Sequence, residues 1–393
     1  MSDGLKMNKF AKWSLLILSI VLLCVFFFVP SYLDKSMNRI TPHEAFEISE
    51  RASQFHQQLI VADLHSDSTL WKRDLLEEHD FGHMDVPRLL KGNVTLQMFT
   101  TVTKVPSGIN YEKNSAEASD SVTRLAMVQA WPVQTWTSLL ERALYQAKKV
   151  RDASRNSPNL MLINNKKDLA DLLRIKKSGQ AMVGAMIGTE GSHALEGSTL
   201  NIKKMFDAGF RMMSLQHFFD NRLGGSLHGE SGQGLTDFGR AALEEMERLR
   251  IIVDVSHSST AVVADVLDIA TRPIVVSHTG VFGHCPNKRN IPDQLMQRIA
   301  AKGGLVAIGH WDGAVCKAEV GEIIKALRYA IDLLGEDHVA LGSDFDGATQ
   351  TAFDTAELSV LTDRMLKAGF TNIEIQKVMG LNTVRFFQAH LPE

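Results

Sequence analysis

The sequence predicts an α/β fold in which eight parallel strands and their helices close into a (β/α)8 barrel, and three observations predict it. Eight short runs of apolar, β-favouring residues recur along the 393 residues. Stretches with helical spacing separate them. Seven of the eight runs end on His, Asp or Glu, where a barrel presents its chemistry at the C-terminal ends of the strands.

Composition agrees and narrows the function. Hydrophobic residues make up 45% and charged residues 22% of the chain, which excludes a disordered or collagen-like protein. Lys and Arg number 42 against 45 Asp and Glu, a net charge of −3, so no basic excess points to nucleic acid. Three cysteines cannot form a disulfide scaffold. No internal repeat suggests a solenoid or propeller.

In chain order, residues 1–12 carry Lys6, Lys9 and Lys12. The uncharged run WSLLILSIVLLCVFFFV follows from Trp13 to Val29, closed by Pro30. Its length at ~1.5 Å per residue spans about 25 Å, the short end of what crosses a bilayer. The expectation is a transmembrane anchor over 13–30 behind a cytoplasmic tail over 1–12, with the rest periplasmic or extracellular. A cleaved signal peptide is the alternative, although no small-residue cleavage pattern follows Val29. A linker over 31–45 and a helical segment around His43–His56 lead into a domain over 46–393.

Export permits a disulfide. With Cys24 in the apolar run, Cys285 and Cys316 remain as a pair, and spacing alone leaves a bridge and two free thiols equally open.

The strand runs are LIVADLH (59–65), VTLQMFT (94–100), AMVGAMIGTE (181–190), RMMSLQH (211–217), IIVDVSH (251–257), PIVVSH (273–278), GLVAIGH (304–310) and HVALGSD (338–344). Near-continuous apolar runs suit parallel strands buried on both faces. TDFGRAALEEMERLR, SSTAVVADVLDIAT and VGEIIKALRYAIDLLG supply helices between them. The interval 101–180 is too long for one crossover and predicts a helical insertion beside the barrel mouth, broken at Pro132.

The run ends carry the candidate chemistry. His65 and Asp67 are two apart, which on a strand aims both at one point, and both suit a zinc-class ion. His257 and His278 close successive runs, so neighbouring strands would bring their rings together. Glu190, between a threonine and a glycine in IGTEGSH, is placed to bridge two metals. Asp344 closes the eighth run.

ADLHSD, GTEGSH, SLQHFFDN, DVSHSS, VSHTG, NKRNIPD and LGSDFDG occur in the order and at roughly the spacings of the membrane dipeptidase (renal dipeptidase) family. The resemblance extends from about Leu59 to GLNTVRFF. It implies a TIM-like barrel of the metal-dependent amidohydrolase type with two zinc ions per subunit. By matched motif, His65 and Asp67 would bind one zinc and His257 and His278 the other, with Glu190 bridging. A hydroxide shared by the metals would attack the peptide carbon of a dipeptide, including dipeptides with a C-terminal D-residue. Asp344 matches the catalytic acid–base. His217 matches the residue that contacts the substrate carbonyl and stabilises the oxyanion. Arg289 matches the arginine that holds the substrate carboxylate, with Asn290 beside it as a further substrate-binding residue or a support for that loop. The resemblance also implies a Cys285–Cys316 disulfide, and a homodimer is left open.

The chain departs from this family in the loop after the seventh run, GHWDGAVC, which lacks an expected tyrosine, and in the insertion. Among the other histidines, His193 reads as a support behind the ligands, His228, His284 and His390 as loop or tail residues, and His310 as a pocket residue rather than a ligand. Alternatives are another hydrolase on the same metals, such as an N-acyl-amino-acid deacylase or a β-lactam hydrolase, or a non-catalytic binding protein. Loss of a ligand would mark the last, and none is lost.

Overall fold

The computed structural model describes residues 9–393, leaving aside the side chains at 18 and 20–24. The tail expected over 1–12 therefore lies mostly outside the described residues, as does the side chain of Cys24. All eight runs form strands: β1 Val61–Asp63, β2 Val94–Val102, β3 Val183–Glu190, β4 Phe210–Ser214, β5 Ile252–Asp254, β6 Val275–Thr279, β7 Leu305–Ile308 and β8 Val339–Leu341. Each pairs in parallel with the next, and β8 returns to β1 through Leu341 and Asp63, which closes the barrel. The longest seam joins β2 to β3, from Leu96 opposite Gly184 to Val102 opposite Glu190.

Alternation along the strands divides the core in two. One cluster includes Leu96, Met98, Met186, Met212 and Ala307, and the last helix, Asn382–His390, inserts Val384 and Phe387 into it. The other joins strand residues such as Val253, Val276 and Val306 to Met246, Val266 and Leu327 of the surrounding helices. Those helices, Asp237–Arg248, Thr260–Ile269 and Val320–Leu334, match the three expected helical stretches.

The N-terminal segment differs from expectation. A single helix, α1, runs from Lys9 to Met37 with Pro30 inside it, so Pro30 does not close the apolar segment and residues 31–37 are not a linker. Proline removes one helical hydrogen bond, but the turns beyond it are held from outside. Arg73 Nε lies 2.7 Å from Asp34 Oδ2, and Ala348 donates its N–H to Asn38 Oδ1 at 2.9 Å. Arg39–Ile40 then pairs in parallel with Gln350–Thr351. Among the described residues no helix is long and apolar enough to cross a membrane. The helix expected around His43–His56 starts only at Glu50, as α2 (Glu50–Gln58), because the Ser49 hydroxyl caps it by accepting from Ala52 N–H.

The insertion is a broken helical pair, with α3 (Ser121–Val128) and α4 (Leu139–Asn156) separated around Pro132. Asp120 caps α3, and the buried Arg142 of α4 reaches Asp120 and the Thr103 carbonyl, which ties the pair to the end of β2. An unforeseen short strand, Leu160–Leu162, pairs with the start of β3. Cys285 and Cys316 are disulfide-bonded, with Cα atoms 5.6 Å apart, and join the loops after β6 and β7.

Candidate metal centre and substrate pocket

Glu190, the last residue of β3, is the hub of a buried cluster at the C-terminal mouth of the barrel. Its Oε1 lies 3.0 Å from His257 Nε2, 3.2 Å from His278 Nε2 and 3.7 Å from His65 Nε2. Its Oε2 is 3.3 Å from His217 Nε2. The His257 and His278 Nε2 atoms, from adjacent β5 and β6, are 3.0 Å apart. Three overlapping groups have donor atoms within 4.8 Å of one another: His65–Glu190–His278, Glu190–His217–His257 and His65–Asp67–Asp344. The expected ligands are thus brought together, and His217 and Asp344 with them.

Local structure explains the convergence. His65 and Asp67 both lie beyond β1, so strand alternation does not align them. Asp67 is set by its N–H donating to the Phe345 carbonyl at 2.9 Å and by the Thr100 hydroxyl donating to its Oδ1 at 2.6 Å. His257, Asp344 and Asp346 hold left-handed backbone at φ 62°, 61° and 63°. Such conformations cost on the order of 1–3 kcal/mol each and persist where the surroundings over-determine them. Gly347 is required beside them, since a Cβ there would lie 2.0 Å from Asp344 Oδ1.

A second polar layer orients the rings, and the sequence reading missed it. The Ser277 hydroxyl donates to Asp254 Oδ2 at 2.6 Å. Its lone pairs then accept from His65 Nδ1 at 3.1 Å and His278 Nδ1 at 3.0 Å. Both Nδ1 atoms therefore carry the hydrogen, and both Nε2 atoms face the cluster. Asp63 similarly accepts from Ser343 N–H and hydroxyl, fixing the start of the Asp344 loop. The signal available in the sequence was an Asp two or three residues before the His in ADLH and DVSH.

Charge makes the cluster a cation site. Burial opposes a charge on His65, but Asp67, Glu190 and Asp344 outweigh it and lift its pKa to about 10. Burial, with the Glu190 charge beside it, raises Asp67 to about 6, and burial holds Asp344 well above the ordinary carboxylate range. Burial, with positive neighbours, drives His257 and His278 well below the usual imidazole value, leaving neutral rings. Three buried acids draw positive charge to His65 and, with the neutral rings of His257 and His278, form a nitrogen and oxygen set that suits a zinc-class divalent ion. The residues present fit the implied metal.

Around the cluster opens a cavity of about 870 Å³. Arg289 lines it at 1% exposure. Its Nη2 donates to the His278 carbonyl at 2.9 Å, its Nη1 has no partner, and its guanidinium lies 5.3 Å from the Trp311 ring centre. Asn290 does not line the cavity. Its amide donates to the Cys285 and Ala314 carbonyls and accepts from Gly280 N–H, so backbone partners consume it and it staples the loop that carries Arg289. His217 reaches the cavity with Nδ1 directed to the Lys104 carbonyl at 3.2 Å.

Of the remaining histidines, His228 is a correction: it is a loop residue, but fully buried, stacked on Phe218 and 5.4 Å from the His257 ring centre. His310 is packed against Phe345 and Phe353 and is absent from the cavity wall. His193 is edge-on to Phe219, His284 lies 3.9 Å from Glu322, and His390 packs on Phe386. The tyrosine missing from GHWDGAVC has a counterpart from elsewhere. Tyr111, from the insertion, accepts from Trp311 Nε1 at 2.9 Å and lines the cavity, and burial pushes its hydroxyl up to about 12.

Comparisons with known proteins agree with this geometry. A sequence model of the membrane dipeptidase family (peptidase family M19) matches residues 49–391. Dipeptidase tcpJ of Claviceps purpurea is 29% identical over 315 residues, covering 77% of this chain and 68% of that protein. Among solved structures, the probable dipeptidase PvdM of Pseudomonas aeruginosa superposes with a TM-score of 0.70 at 18% identity, covering 86% of this chain and 97% of that one. A metallopeptidase of Rhodobacter sphaeroides, liganded with a phosphinate mimic of L-Ala-D-Ala, gives 0.66 at 23% identity over 85% and 99%.

Proposed function

Because the chain belongs to the membrane dipeptidase family of metallopeptidases, and is accordingly a peptide hydrolase, we propose that it cleaves free dipeptides, including those with a C-terminal D-residue, with two zinc ions per subunit. The observation that carries the dipeptide reading is Arg289: a buried guanidinium with Nη1 unpartnered, beside the donor cluster. A buried donor without a partner costs free energy, and a substrate carboxylate would satisfy it through charge-assisted hydrogen bonds.

His65, Asp67, Glu190, His257 and His278 would hold the metals, which when bound supply Lewis acidity to the scissile carbonyl and acidify the attacking water. Arg289 holds the C-terminal carboxylate and so sets the distance to the bond that is cut. His217 has Nδ1 against the Lys104 carbonyl and Nε2 3.3 Å from Glu190 Oε2, which places Nε2 to contact the substrate carbonyl oxygen. Asp344 as the carboxylate takes a proton from the attacking water, and the acid so formed, which burial favours, delivers that proton to the departing amine. The products are two free amino acids.

The uncharged run over 13–29 supports a single-pass anchor, with the N-terminus cytoplasmic and the barrel outside. Resistance of the full chain to alkaline extraction from membranes tests it, and release into the soluble fraction would refute it. The decisive test of activity is a panel of L-L and L-D dipeptides set beside N-acyl amino acids and β-lactams. Dipeptide cleavage is expected, with KM rising at least tenfold in Arg289→Ala. No cleavage of any dipeptide would overturn the reading.

A further inference from the structure

The cavity that holds the donor cluster is much larger than a pair of short residues fills. Its volume of about 870 Å³ approaches the upper end of the roughly 300–1,000 Å³ that accommodate drug-sized ligands. Apart from Arg289 and the cluster's own Asp67, Glu190 and Asp344, the only charged residue on its wall among the described residues is Arg124. The rest of the wall is mainly apolar: barrel-mouth loops such as 105–111 form much of it, and two helices outside the barrel complete it. Leu33 and Met37 belong to α1, and Val122, Leu125 and Val128 belong to α3.

Direction follows from the clamp. Arg289 lies beside His257 and His278, whereas Asp67 precedes the turn Ser68–Leu70 that runs into Trp71. Leu70 and Trp71 pack with Val102 and Val122, and Leu33 and Leu125 lie against that cluster. A substrate with its carboxylate on Arg289 and its carbonyl at the cluster therefore directs its N-terminal half toward α1 and α3.

That wall is built rather than incidental. Asp34, one residue after Leu33, is 1% exposed and paired with Arg73, which also reaches Asp346 Oδ2 at 2.7 Å. Asn38, one residue after Met37, donates to Asp34 Oδ1 at 2.8 Å and accepts from Ala348 N–H. Lys72 Nζ donates to the Phe26 carbonyl at 3.0 Å. The end of α1 is thus fastened to the loop that carries Asp344, with Leu33 and Met37 on the cavity wall.

We propose that Leu33 and Met37 of α1, with Val122, Leu125 and Val128 of α3, form a subsite for a large apolar group on the N-terminal side of the scissile bond. The preferred substrates then carry a bulky hydrophobic N-terminal residue, or an acyl chain in its place, rather than glycine or alanine. This rests on the peptide-hydrolase reading with Arg289 as the carboxylate clamp. Burial of apolar substrate surface in the subsite supplies the preference.

The test uses the full-length, zinc-loaded chain in detergent. It measures kcat/KM for Gly-Ala, Ala-Ala, Leu-Ala, Phe-Ala and N-decanoyl-alanine. The expected result is a rise of at least tenfold from Ala-Ala to Phe-Ala or to N-decanoyl-alanine, and whichever is faster identifies the source of the apolar group. In Met37→Gln and, separately, Leu125→Asn, the ratio of Phe-Ala to Ala-Ala is expected to fall at least threefold. The wild-type series stands even if a variant fails to fold. Equal rates across the series, or a ratio unchanged in both folded variants, would overturn the subsite while leaving the hydrolase reading intact. No hydrolysis of any member would overturn the hydrolase reading itself.

Discussion

The floor and the wall of one cavity are built on opposite principles. At the floor, donor atoms from six strand ends converge in overlapping groups of three, each within 4.8 Å, and hydrogen bonds with Ser277, Thr100 and the Lys104 carbonyl fix the rings and acids that point there. On the wall, side chains from α1 and α3 pack by apolar contact, and the polar groups that secure them, Asp34, Asn38 and Arg73, belong to an ion-paired network with the Asp346 loop. Directional bonds tolerate little change, because each donor or acceptor left alone in a buried site costs about 1–3 kcal/mol. Apolar contacts are non-directional and scale with area. Chemistry is therefore fixed at the floor, and selectivity is free to vary on the wall.

This contrast can be broken experimentally, most severely at the floor. Asp344→Asn keeps the side-chain volume but removes the proton carrier. Its kcat is expected to fall by about 10²–10⁴-fold, with zinc content retained by elemental analysis. Normal turnover in that variant would show that the proton travels elsewhere.

One layer deeper, Ser277→Ala removes the acceptor shared by His65 and His278. A loss of roughly 10–100-fold in zinc affinity or activity is expected, since partners of metal-ligating rings typically contribute that much. Competition with a chelator reads the affinity, and an unchanged zinc affinity with unchanged activity would mean the rings are held by packing alone.

The mildest change lies where floor and wall meet. Tyr111→Phe deletes the hydroxyl that accepts from Trp311 Nε1. A stability loss of about 1 kcal/mol is expected from denaturant unfolding, with KM altered more than kcat. A fall in kcat comparable to that of Asp344→Asn would instead place Tyr111 among the groups that perform the chemistry.

The floor was legible in the sequence because metal chemistry demands a few residue types at the ends of strands. His65, Asp67, Glu190, His217, His257, His278 and Asp344 each close or follow a recognisable apolar run. Arg289 stood out only through the resemblance of NKRNIPD to a known motif, since an arginine in a loop is ordinarily solvated. For Asn290, support of the Arg289 loop and substrate contact look alike in sequence, because a polar residue there gives no indication that three backbone groups consume it. The wall was not legible. Residues 31–37 have the composition of a tether, and Tyr111 lies 200 positions from the tryptophan that it meets.

By itself the sequence determined the eight-stranded barrel, the helical insertion and the set of candidate metal donors. These follow from local periodicity and from the narrow chemistry of zinc-class ligands. Only the tertiary structure decided that α1 continues through Pro30 to the mouth of the barrel, that Asp254 and Ser277 set the tautomers of His65 and His278, and that a tyrosine of the insertion meets Trp311. Those features depend on contacts between segments far apart in the chain, whose partners become defined only once the barrel has closed and its loops have been brought together.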